Sequence, residues 1–546
     1  MYEMLFALTL IFVIAALLLV IAAQAALPVV PFYLIAGVLA GAFIDETQLL
    51  DLAQWGIAFL VFLFGVHFDL EAFRTTARIS VVVSVLQAGV VGAVAFGAGL
   101  AFGLDGLNAG YFAVVAALSS SIVAVSYLDT TNGIQPTFVQ LAESIHFVED
   151  LIGVIVVLSL SAVVYSPEPA PIQFATAAVM ILTAVGIRYL LFHRLTAKLR
   201  GDTEVMMLIG VSFVIGFITL AEFVGLSIVV GAFAAGIAVA DDYPHSLELV
   251  DTIDDLEDFF SPLFFITVGA LLTVPGVETA GYALALIAAV LILNPLVVAF
   301  ILLRGGFDER TAMLTGMTLD QVSVFSLFIA IEALAEGAIS RSVFDAIVLA
   351  TVITMFVGSY TARHNEAINR RLRRVGLFQA LGGPSAEKSQ VADNLSDHVI
   401  IVDFEQSSQP IIETCSQIGR DVLVIEDNPT RIAAISEQCE NYIYGDVLSE
   451  RLWKLANVED AALIISLTPE TDRARGVVEL AVEVPRIVRV AEMSTARRFV
   501  DSKQTSVLSP SAIAGQQLTD DIDELLDAEI SHEEFADRDY VQFEDR

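Results

Sequence analysis

His146-Phe147-Val148-Glu149-Asp150-Leu151-Ile152-Gly153 places two adjacent carboxylates and a histidine in the middle of an apolar run that extends from about 137 to 164. Apolar residues flank the pair on both sides, which puts it inside a segment and not in a loop. The run is long enough to cross a bilayer, which takes about 20 apolar residues in helical form. An ionisable group at mid-span costs about 2.5–3.5 kcal/mol on insertion scales, so such groups are functional by default. Two neighbouring carboxylates cannot both ionise cheaply at low dielectric unless a cation or a proton compensates. A site that accepts either one at a single carboxylate has what an exchange of the two requires. The alternative is a structural pair satisfied by neighbouring donors. His146 lies one turn before Asp150 on the same face, as a polar lining residue or a proton relay.

Working outward, the whole first part of the chain has the same character. Of 546 residues, 56% are hydrophobic and mean hydropathy is +0.74, an excess confined to residues 4 to about 362. This stretch divides into about 13 apolar runs, each near the length a bilayer demands. The first runs from Met4 to about Ala23 behind Glu3, with no basic residue ahead of it, and predicts a transmembrane helix and not a cleaved leader. Alternate loops carry Arg74 and Arg78, then Arg194, Lys198 and Arg200, then Arg304 and Arg310, whereas the others carry Asp45, Glu46, Asp105, Glu168 and Glu278. The bias of basic loops toward the inside predicts an outer N-terminus, an inner C-terminus and a cell-membrane location.

Two further spans are interrupted by polar residues. The fifth contains Leu118-Ser119-Ser120-Ser121-Ile122, and the twelfth contains Gly316-Met317-Thr318-Leu319-Asp320-Gln321-Val322-Ser323. Hydroxyls in a row satisfy backbone groups where a helix unwinds, and breaks at corresponding places in two halves are the mark of inverted repeats around a midplane site. Asp320 is a second buried acid and a candidate site residue beside Ser119, Ser120 and Ser121. Gly231-Ala232-Phe233-Ala234-Ala235-Gly236 reads as close helix packing.

Beyond residue 362 the composition changes. Residues 363–396 read as a basic helix followed by a polar linker broken at Gly382-Gly383-Pro384. Residues 397–519 alternate β-branched runs (Val399–Val402, Val422–Ile425, Leu463–Ser466, Ile487–Val490) with helical patterns, which predicts a parallel, doubly wound α/β domain. Residues 520–546 form an acidic tail. The net charge of −36, from 64 acidic against 28 basic side chains, excludes nucleic acid as a partner and suits a solvated surface in a salty cytoplasm. Cys415 and Cys439 are too few for a disulfide framework or a metal site and read as packed, reduced thiols. No nucleophile–base pair suggests an enzyme.

Taken together, the membrane segments resemble the monovalent cation:proton antiporters of the potassium-efflux and sodium/proton type. Leu34-Ile35-Ala36-Gly37-Val38-Leu39-Ala40-Gly41, Phe62-Leu63-Phe64-Gly65-Val66-His67-Phe68-Asp69, Ala117-Leu118-Ser119-Ser120-Ser121, Val148-Glu149-Asp150 and Pro262-Leu263-Phe264-Phe265 match the family's segments in order and spacing. The resemblance implies a homodimer in lipid with two crossed, broken helices, and Asp150 as the ligand of Na⁺ or K⁺ and of H⁺, modulated by Glu149. Where relatives commonly have a lysine facing the acid, this chain has Asn294 before Pro295. A transport-inactive membrane sensor on the same fold is the alternative. Residues from about 397 resemble the Trk-type nucleotide-binding domain that regulates potassium conductance. That resemblance would place Glu426 and Asp446 against a nucleotide of the NAD(H) or AMP kind. The glycine-rich loop is degenerate, however: Asp403-Phe404-Glu405-Gln406-Ser407-Ser408 stands where Gly-x-Gly-x-x-Gly is expected.

Overall fold

The computed structural model describes residues 2–25, 29–41, 46–66, 77–120, 137–160, 169–192, 203–240, 260–375 and, with small gaps, 389–519. His67, Asp69, Arg74, Ser121, Glu168, the basic loop at 194–200 and the tail at 520–546 lie outside the described residues. The chain divides into two compact units, one of Met1–Leu128, Gln140–Gly305 and Ala312–Val375, the other of Asp129–Val139, Gly306–Thr311 and Gly376–Arg546.

In the first unit every described element is helical. Its elements are α1 (Tyr2–Ala25), α2 (Val29–Ala40), α3 (Glu46–Val66), α4 (Ala77–Ala101), α5 (Gly106–Ala117), α6 (Thr137–Leu160), α7 (Ala170–Ile187) and α8 (Thr203–Phe223). They continue with α9 (Ile228–Val239), α10 (Phe260–Ala270), α11 (Val277–Arg304), α12 (Glu309–Met317), α13 (Val324–Ala335) and α14 (Arg341–Val375). Among the described residues, segments of four helices, Arg78–Ala101, Ala170–Leu190, Val277–Arg304 and Arg341–Asn365, are long and apolar enough to cross a membrane. α5 is short because the chain leaves helical geometry at Leu118, and α12 and α13 are short because it does so between Met317 and Val324. α11 has a wider, five-residue turn at Ala289–Leu293, where the Asn294 N–H donates to Ala289 O. The cause is local: Pro295 has no N–H to continue the ordinary ladder. α14 passes through a kink at His364 (φ −118°, ψ 15°), near the expected end of the last span.

Glycines set the closest helix contacts. A Cβ at Gly236 of α9 would lie 2.2 Å from Phe62 O of α3, and one at Gly269 of α10 would lie 2.0 Å from Leu34 O of α2. Only a residue without a side chain permits such approach, which is how helices associate where no hydrophobic drive separates protein from lipid.

The second unit contains a six-stranded, wholly parallel sheet in the order β3-β2-β1-β4-β5-β6. The strands are β1 (Val399–Val402), β2 (Val422–Glu426), β3 (Asn441–Tyr444), β4 (Leu463–Ser466), β5 (Arg486–Arg489) and β6 (Thr505–Leu508). Helices α15 (Ser408–Gln417), α16 (Ile432–Gln438), α17 (Glu450–Leu455) and α18 (Thr471–Val478) cover it. Separate apolar cores on the two faces, one around Ile400, Leu423, Trp453 and Val488, the other around Val399, Ile401 and Val424, explain why the central strands are hydrophobic at consecutive positions. Strand order reverses between β1 and β4, so the crevice for ligands in such sheets lies at the carboxyl ends of those two strands.

Candidate functional site

Two helix breaks meet inside the first unit. α5 ends at Ala117, Leu118 is extended (φ −100°, ψ 134°), and α13 resumes only at Val324 behind the Ser323 cap. The stretches between pair as a short antiparallel bridge, Ser119 opposite Val322. Ser120 N–H donates to Gln321 O and Ser323 N–H donates to Leu118 O, each at 3.2 Å. Backbone groups freed by each break are thus satisfied by the other break, which low dielectric requires. Val322 N–H is taken by Thr354 Oγ1 (3.2 Å) and Phe325 N–H by Ser323 Oγ (3.0 Å).

Glu149 belongs to this crossing. Its Oε2 accepts from Ser119 N–H at 3.0 Å and from Ser119 Oγ, while His146 Nδ1 lies 3.4 Å from the same hydroxyl. Glu149 and His146 are buried. Asp150 is the next residue, turned about 100° around the helix axis. It is half-buried, and among the described residues it accepts no hydrogen bond and joins no ion pair. The pair thus divides: Glu149 serves the break and Asp150 is uncommitted.

Asn294 is fully buried behind the break. Its Nδ2 donates to Ala116 O (3.3 Å), and its Oδ1 accepts from Gln87 Nε2 (2.7 Å), which also reaches Ala117 O (3.0 Å). Two neutral amides therefore cap the carbonyl end of α5. Gln87 was not singled out from the sequence, although a lone amide in the apolar run Val83-Ser84-Val85-Leu86-Gln87-Ala88 was the available signal. Asp320 lies in the other break but turns to α14: its Oδ2 accepts from Thr361 Oγ1, and no hydrogen bond joins it to Glu149 or Asp150 among the described residues. Glu332 of α13, also missed, accepts from Ser227 Oγ at 2.7 Å at the start of α9.

The crevice of the second unit is differently built. Asp403 takes the first glycine position with φ +67°, the left-handed conformation a glycine adopts freely. Glu426 does not face outward: its oxygens accept from the backbone N–H groups of Phe404 (2.8 Å), Asp427 (3.0 Å) and Asn428 (2.8 Å). Glu405, at the second glycine position, pairs with Arg489, and Ser408 Oγ accepts from Glu405 N–H at 2.9 Å. Asp446 is half-buried and accepts from Leu448 N–H at 2.9 Å. Asp403, Glu426 and Asp427 lie close enough together to hold a cation, but Arg473 already bonds Asp403 and Asp427. Burial pushes Asp403 up to about 6 despite Arg473, and pushes Glu426 up to about 8 with Asp403 and Asp427 adding to it. The glycines that a dinucleotide needs are absent, the amides of Phe404 and Glu405 are taken, and the carboxylates would repel its phosphates, so the residues present do not fit that group.

Residues 8–364 match the transmembrane sodium/hydrogen exchanger family, and residues 399–510 match the TrkA-N domain. YbaL of Escherichia coli K12, named as a candidate cation/proton antiporter, is 24% identical over 472 residues, 82% of this chain and 84% of YbaL. The glutathione-regulated potassium-efflux system protein KefC of Cronobacter sakazakii is 24% identical over 512 residues, 91% of this chain and 80% of KefC. Among solved structures, the TrkA-N domain of the E. coli inner membrane protein YbaL is 17% identical, covers 24% of this chain and 98% of its own, and has a TM-score of 0.22. A match over more than half the chain joins the many-helix architecture and the parallel-sheet domain described above, and so this multi-pass membrane protein belongs to the sodium/hydrogen exchanger family, a family of cation/proton antiporters and not of enzymes.

Proposed function

We propose that the chain exchanges a monovalent cation, Na⁺ or K⁺, against H⁺ by alternating access, with Asp150 as the carboxylate that takes either ion in turn. It works as a homodimer in the cell membrane, N-terminus outside and C-terminal domain inside. The observation that carries this reading is the division of the acid pair. Glu149 is committed to Ser119 at the helix break, whereas Asp150 has no donor and no cationic partner among the described residues. An ionised carboxylate left alone in low dielectric is costly, so Asp150 needs a proton or a metal cation before the site can pass through a dry intermediate. That requirement couples the two ions, because an empty, charged carrier does not cross. Asn294 and Gln87 are neutral where a lysine would have supplied a permanent counter-charge, which leaves neutralisation to the transported ions. Ser119 and Ser120 complete the lining. The potassium-efflux name of KefC favours K⁺ as the cation.

The test uses purified protein in liposomes that hold a pH-sensitive dye, with a proton gradient imposed and Na⁺ or K⁺ added separately. Dequenching by one ion is expected, with Asp150→Asn reducing it by about 100-fold or more while leaving the unfolding temperature unchanged. Folded wild-type protein that answers neither ion would sink the proposal and favour a transport-inactive sensor.

A further inference from the structure

The ligand crevice of the second unit already contains a guest, and it comes from the chain itself. Arg473, in the first turn of α18, is only 2% exposed. Its Nη2 donates to Asp403 Oδ1 at 2.7 Å, its Nη1 donates to Asp427 Oδ2 at 2.8 Å, and Glu470 Oε1 lies 3.7 Å away. Asp403 follows β1, Asp427 follows β2 and Arg473 lies in the helix after β4, so the guanidinium reaches across the point where the sheet order reverses, the place at which doubly wound sheets take ligands.

Among the described residues of the loop, three amides already have acceptors. The Phe404 amide serves Glu426, the Glu405 amide serves Ser408 Oγ, and Asp403 N–H serves Ile425 O (2.9 Å). Two further arginines hold the loop: Arg431 Nη1 donates to Phe404 O (2.9 Å), and Arg489 pairs with Glu405. The carboxylates that face the crevice attract a cation and repel a phosphate, and a planar guanidinium with several donors matches them better than a point charge.

We propose that Arg473 is the built-in ligand of this domain: its guanidinium fills the crevice between Asp403 and Asp427, and the folded domain takes no nucleotide. The domain then holds one liganded conformation permanently. A free nucleotide could enter only by expelling a buried arginine from two carboxylates and by leaving those carboxylates against its own phosphates.

Two measurements on the full chain in detergent test this. In the first, wild-type protein is titrated calorimetrically with AMP, ADP, NAD⁺ and NADH. No saturable heat up to ~5 mM is expected, and a Kd below ~1 mM for any of them overturns the proposal. This arm needs no variant. In the second, unfolding of the domain is followed by fluorescence of Trp453, which is buried in its core, with Trp55→Phe removing the other tryptophan. Arg473→Ala should unfold ~10 °C or more below the parent. Guanidinium ion at ~20 mM should restore a large part of that loss by binding in the vacated place, and sodium at the same concentration should not. An unchanged unfolding temperature, or equal rescue by sodium, counts against Arg473 as the occupant.

Discussion

The helix crossing at Leu118–Ser120 and the loop at Asp403–Ser408 pose the same physical problem: backbone leaves regular structure next to buried carboxylates. In the membrane unit the two breaks bond to each other, and one acid, Glu149, finishes the job. Its neighbour Asp150 has no hydrogen-bond or ion-pair partner among the described residues. In the second unit every carboxylate around Arg473 has a donor, and every loop amide named above has an acceptor. An anionic site without internal partners must recruit an ion, and one that is internally complete excludes ions. The first arrangement suits traffic and the second suits permanence.

Three outcomes can break or sharpen that contrast. The largest effect is expected at Glu149. Glu149→Ala strands the Ser119 N–H and hydroxyl, a loss of about 1–3 kcal/mol, so exchange in liposomes should fall up to about 100-fold. Glu149→Gln keeps one acceptor oxygen and should lose less than about tenfold. Equal losses in both would mean that the charge of Glu149, not its hydrogen bond to the break, is what matters. Next comes the neutral cap. Asn294→Ala leaves Ala116 O without its amide donor and the Gln87 amide with Ala117 O alone, and should destabilise the helical unit by about 1–2 kcal/mol. Thermal unfolding followed through Trp55 in a Trp453→Phe background would read it, and no shift would remove Asn294 from the cap.

The smallest effect is a pH dependence of the second unit. Asp403 and Glu426 are raised to about 6 and about 8 by burial among other carboxylates. Between their ordinary values near 4 and those raised values, the folded domain binds more protons than the unfolded chain. Stability therefore falls as pH rises through that window. The Trp453 unfolding temperature should be several degrees lower at pH 8.5 than at pH 5.5, and a rise instead would show that Arg473 outweighs burial.

What the sequence made legible follows the range of the interactions involved. The Ser119–Ser121 run and the polar stretch from Gly316 to Ser323 announced helix breaks, because unwound backbone needs polar groups nearby in the chain. The expected β1 and β4 coincide with observed strands, the one expected at Val422–Ile425 runs one residue further to Glu426, and the one expected at Ile487–Val490 lies one residue earlier. By contrast β3 and β6 escaped notice: Asn441-Tyr442-Ile443-Tyr444 is short, and Thr505-Ser506-Val507-Leu508 is an edge with a mixed pattern. The partners that define both sites are distant in sequence. Gln87 meets Asn294 across 207 residues, and Arg473 meets Asp403 across 70. The loss of the glycines was visible in one chain, but nothing in the local pattern said which side chain had taken the ligand's place.

Asp403 also carries a cost in its own backbone. Its left-handed backbone (φ +67°) is one that a side chain tolerates at a cost and a glycine adopts freely. The loop has the backbone of a glycine turn with a carboxylate set on it. Asp403→Gly is therefore conformationally open, and it would take from Arg473 one of the two carboxylates that hold it.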